Sequence, residues 1–94
     1  MPEMNFRVRW PDGTLSDCYS PSLVIREHLE EGKIYRLADF VHISRTALTI
    51  ASDRVAAKFG FPCSRAARQI AVIDAEAARF ANDPEATVTV VALT

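Results

Sequence analysis

The chain has 94 residues with a net charge of −1, and it is 49% hydrophobic and 24% charged. A domain of that size buries only roughly 60–65% of its unfolded surface, so its core is thin and a partner or second copy would help it. The composition excludes a disordered or fibrous chain, and the near-neutral, interspersed charge excludes non-specific nucleic-acid binding, which needs many Lys and Arg on one face.

No apolar run approaches the ~18 residues of a membrane span, and the opening stretch through Trp10 lacks a signal-peptide core. The expectation is a cytoplasmic protein with no membrane partner. Cys18 and Cys63 form no C-x-x-C pair, so reduced thiols are expected, with neither a disulfide framework nor a metal knuckle.

Residues 5–10 alternate Phe6, Val8 and Trp10 against Asn5, Arg7 and Arg9, the pattern of a half-buried strand. Pro11-Asp12-Gly13 then reads as a three-residue hairpin loop with a glycine bulge, which fixes the register. Trp10 is expected opposite Thr14, Val8 opposite Ser16 and Phe6 opposite Cys18 on the core side. Arg9 then faces Leu15, Arg7 faces Asp17 and Asn5 faces Tyr19 on the other, and Cys18 is buried.

Ser20-Pro21-Ser22 caps a first short helix expected to run to about Glu30, with Gly32 closing it. Lys33 to Arg36 is a connector that can be extended. A second helix from about Leu37 to Phe59 carries a buried stripe of Leu37, Phe40, Val41, Ala47, Leu48, Ala51, Val55 and Phe59. His42, Arg45, Thr46, Thr49 and Asp53 occupy its wet face. Gly60 supplies the left-handed position after the helix, with Phe61 as the apolar residue following.

A third helix from near Pro62-Cys63-Ser64 carries Ala66, Ile70, Ile73, Ala77 and Phe80 before Asn82-Asp83-Pro84 stops it. Residues 86–93 are β-branched and alternating, and return as a strand beside the first one. The fold class is α+β: a single domain, 1–94, of order β-β-α-α-α-β, with a three-stranded, mainly antiparallel sheet and helices packed on one face.

Chemistry is concentrated at one helix entrance. Cys63 sits where unpaired N–H groups lower a thiol pKa, with Arg65 two positions on, but with no His or acid nearby in sequence to act as a base the favoured reading is that it packs as a small apolar residue between Phe61 and the third helix. Cys63, Ser64 and Arg65, with Tyr19, form a candidate ligand or anion site, which ordinary helix capping also explains. His28 and His42 have no metal-binding spacing, and no nucleophile elbow, phosphate loop or dinucleotide fingerprint is present, so neither a metal, a cofactor nor a catalytic residue is assigned.

On the outer sheet face, Arg7 and Arg9 beside Tyr19 could suggest nucleic-acid stacking, but Asp17 opposes it and no nucleic-acid partner is assigned. Arg7, Arg9, Leu15, Tyr19 and Val91 instead form a mixed surface of the kind protein interfaces use. Its expected partner is a second copy, making a homodimer, or a pathway protein.

Taken together, RVRWPDG at 7–13, DCYSPS at 17–22, Tyr35-Arg36-Leu37-Ala38-Asp39-Phe40 and ALTIASDRVAAKFGFPCS at 47–64 resemble a small bacterial nitrogen-starvation-response family. Its members are encoded beside a nitrilase, a radical-SAM protein, an acetyltransferase and a flavoprotein. The resemblance spans nearly the whole chain. It implies an accessory role in nitrogen scavenging, in nitrile or cyanide assimilation, and it carries over no catalytic residues. Its motif residues Cys18, Tyr19, Ser20, Pro21, Cys63 and Ser64 fall at two helix entrances, which come together if both helices pack on one sheet. The expectation is a non-catalytic accessory or interaction module; the alternative is a small-molecule binder or thiol-dependent enzyme centred on Cys63.

Overall fold

A computed structural model describes residues 2–94. The hairpin forms in the register the loop dictates. β1 (Met4–Arg9) pairs antiparallel with β2 (Leu15–Ser20), setting Phe6 against Cys18, Arg7 against Asp17 and Arg9 against Leu15. Across the loop mouth the Trp10 N–H donates to the Thr14 carbonyl at 2.8 Å, and Gly13 takes φ +88°, a conformation that costs an L side chain strain. Asp12 braces the turn by accepting from both the N–H and the hydroxyl of Thr14.

The segment after β2 departs from expectation. In place of a helix reaching Glu30, a five-residue 3-10 helix spans Leu23–Glu27, capped by Ser22, whose Oγ accepts from the Val24 N–H at 3.1 Å. The turn ends early because the N–H groups of His28 and Leu29 both fall on the Ile25 carbonyl. This arrangement buries Val24, Ile25 and Leu29 while carrying the chain from one edge of the sheet to the other.

There the Lys33–Arg36 connector becomes a strand. β3 (Ile34–Arg36) pairs antiparallel with β4 (Thr87–Leu93), and the sheet has four strands in the order β2-β1-β4-β3, not three. Gly32 does not close a helix; its N–H donates to the Val90 carbonyl at 2.7 Å, extending that pairing. Tyr35 turns inward and its hydroxyl accepts from the Glu30 N–H at 2.8 Å. β1 and β4 are the central strands, with a register shift between Arg7 and Val8 that leaves Val91 as an extra, half-buried residue.

Two α-helices cover one face, not three. α1 (Leu37–Phe59) keeps Phe40, Ala47, Leu48 and Ala51 in the core, and α2 (Ser64–Ala78) contributes Ala66 and Ile73. Gly60 ends α1 at φ +88° with its N–H on the Ala56 carbonyl. Phe59 is the exception to the helical pattern: it lies 54% exposed at the end of α1, and Phe61 after the Gly60 cap is 67% exposed.

The core is centred on Trp10, which meets Phe40 edge-on with centroids 5.7 Å apart and stacks on Phe80 at 6.4 Å. Its indole N–H is satisfied by Ser16 Oγ at 2.8 Å. Ser44, within the buried stripe of α1, has a buried hydroxyl with no hydrogen-bond partner among the described residues.

Two substitutions on α1 separate these contributions. Phe40→Ala removes a fully buried ring and is expected to cost about 3–5 kcal/mol in urea unfolding. Ser44→Ala deletes an unpaired buried hydroxyl and improves helix propensity, so it is expected to leave stability unchanged or raise it by up to about 1 kcal/mol.

Candidate functional site

The structure brings Tyr19 and Arg65 together. α2 meets the β2 edge, where Gln69 Oε1 accepts the Tyr19 N–H at 2.9 Å. From the same helix, the Arg65 guanidinium lies 3.8 Å from the centre of the Tyr19 ring. A carboxylate already faces both groups: the Tyr19 hydroxyl donates to Glu3 at 2.8 Å, and Glu3 lies 3.7 Å from Arg65. Burial, then the bond to Glu3, pushes the Tyr19 phenol up to about 12.

Cys63 stands at the N-cap of α2 and Ser64 opens the helix, exposed to solvent. Cys63 makes no side-chain capping bond; its backbone N–H donates to Ser52 Oγ at 3.2 Å, tying α1 to the start of α2. The thiol is half-buried, and Phe61 nearby in sequence is 67% exposed. Cys18 contrasts with it. Buried on β2 as the cross-strand partner of Phe6, its thiol is pushed up to about 12 by burial, with the Asp17 charge adding to the effect. No group of three or more His, Cys, Asp or Glu side chains among the described residues is placed to hold a metal ion, and no helix is long and apolar enough to cross a membrane.

The outer face of the sheet is uncovered. One cross-strand row runs Leu15, Arg9, Thr89, Ile34, with Leu15 and Ile34 at 53% and 62% exposure on the two edges. In the next row Arg7 pairs with Asp17 at 2.8 Å, holding the Asp17 carboxyl below its usual range and raising the guanidinium. Being exposed, this pair contributes register more than stability. Of the expected surface residues, Arg7, Arg9 and Leu15 are exposed, Tyr19 is half-covered beneath Arg65, and Val91 lies at the bulge.

Sequence reading missed one feature entirely. Between the first turns of α1, the end of α2 and the turn that follows it lies a groove of about 690 Å³, lined by Leu37, Val41, Ala77 and Phe80 with Arg36, His42 and Arg45 beside them. Two smaller hollows, of about 370 and 290 Å³, adjoin it and share Arg36. The signal was present but divided: Leu37 and Val41 read as core and His42 and Arg45 as wet face, and the groove occupies the boundary between them.

Compared with known proteins, the chain matches the family model described as nitrogen starvation-induced protein NitG over residues 5–93. Neither a curated protein nor a solved structure matches it.

Cys18 stays protonated in the folded chain to about pH 12 and ionises near 8.5–9 once unfolded, so above pH 9 the unfolded state binds fewer protons and stability falls with rising pH. Its share of that loss reaches about 2 kcal/mol near pH 10.5. Urea unfolding of Cys18→Ala at pH 8 and pH 10.5 checks this: the variant should show the smaller pH-dependent loss.

Proposed function

The chain belongs to the NitG family of nitrogen starvation-induced proteins, and from that premise we propose that it serves the response as a non-catalytic accessory that binds protein through its open sheet face. The observation that supports this reading is the row Leu15, Arg9, Thr89, Ile34: apolar side chains at both edges of an uncovered four-stranded face, with polar groups between.

The partner we assign to that face is a second copy of the chain. A two-fold interface must complement itself, and this surface carries both charge signs, in Arg7, Arg9 and Asp17, together with the apolar Leu15 and Ile34. We place the dimer in the cytoplasm, in support of nitrile assimilation, the setting the family resemblance implies. Thiol chemistry centred on Cys63 has less support, because Arg65 and Tyr19 are already engaged with Glu3.

Light scattering tests the reading. Wild-type protein at micromolar concentration should show twice the 10.4 kDa chain mass, and Leu15→Glu or Arg9→Glu should raise the dimer dissociation constant by roughly a hundredfold without unfolding the exposed positions they alter. A monomeric wild type, or a dimer indifferent to both substitutions, would overturn it.

A further inference from the structure

The groove beside the start of α1 plays no part in the sheet-face reading. Its floor is apolar and anchored: Phe80 is held by stacking on Trp10, and Leu37 and Val41 pack against the core from the first turns of α1.

Its charged groups are unequally engaged. Arg45 is ion-paired with Asp74, while Asp83, the acid in the lining, accepts the Glu85 N–H at 2.9 Å and keeps its negative charge at the end of the groove formed by the turn after α2. Arg36 forms no ion pair among the described residues, yet it borders all three hollows, and His42 borders two. As the residue before α1, Arg36 also lies at the positive end of a 23-residue helix. An apolar floor with Arg36, a residue that forms no ion pair among the described residues, at its border suits a molecule with an apolar body and one negative end.

We propose that this groove binds a small amphipathic carboxylate, an organic acid whose carbon skeleton lies over Leu37, Val41 and Phe80 and whose carboxylate pairs with Arg36. The volume of about 690 Å³ lies within the range of small-ligand sites, and a guanidinium offers a carboxylate two parallel hydrogen bonds. A polyphosphate is a poorer match, because among the described residues the lining has one guanidinium without an ion pair, and it adds the Asp83 carboxylate and an apolar wall in place of a cationic cluster.

The experiment titrates 4-phenylbutyrate and its uncharged counterpart 4-phenylbutyramide, reading the emission of Trp10, the chain's single tryptophan, and the methyl resonances of Leu37 and Val41. The acid is expected to bind about tenfold more tightly than the amide, and Arg36→Gln, at an exposed position, to abolish that preference while leaving amide binding unchanged. Leu15→Glu, on the separate sheet face, should leave both affinities unchanged, which keeps this proposal distinct from dimerisation. Equal binding of acid and amide by the wild type, an unaltered preference in Arg36→Gln, or no response of Trp10 and the groove methyls would each overturn it.

Discussion

Gly13 closes the first loop in a left-handed conformation, and with Trp10 bonded to Thr14 across its mouth the two flanking strands can pair in only one register. Side chains alternate along a strand, so a slip of one residue would send Phe6, Val8 and Trp10 into water and bring Arg7 and Arg9 against the helices. Everything packed on the sheet depends on that choice. Trp10 is the last inward residue of β1's alternation, and there it meets Phe40 from α1 and Phe80 from the turn after α2. One ring thus joins the hairpin to both helical segments.

The remaining elements settle the edges. β2 is an edge strand, and α2 covers part of it by offering Gln69 to the Tyr19 N–H and Arg65 to its ring. The opposite edge is supplied by the three residues of β3, which the chain reaches by passing over the core through the 3-10 helix and Leu29. With helices on one face only, the other stays wet, as antiparallel sheets allow. The two features assigned a role lie on different parts of the molecule: a flat face with Leu15 and Ile34 at its margins, and a groove whose floor is the far side of the Trp10 cluster.

The two cysteines occupy different environments. Cys18 is sealed beneath the sheet and ionises only under strongly alkaline conditions, whereas Cys63 stands half-buried at a helix entrance. The residues expected to assist Cys63 have other work. Arg65 is shared between the Tyr19 ring and Glu3, a residue from the start of the chain that no local pattern near Cys63 could announce.

The hairpin, its register and pairs, the burial of Cys18, the span of α1 and its Gly60 terminus were all legible in the sequence, because each rests on local alternation, helical spacing or a positive φ that glycine meets. The sequence also determined the family, whose model matches residues 5–93. Tertiary structure decided the rest. β3 is too short to show a period, and exists because Tyr35 finds a place in the core and its backbone finds β4. Phe59 fits the buried period of α1, yet it lies 54% exposed, because what packs against the last turn of a helix is set by the fold and not by its spacing. The groove at Arg36 is assembled from segments far apart in the chain, and only packing brings the two ends of the helical pair around Phe80 to make it.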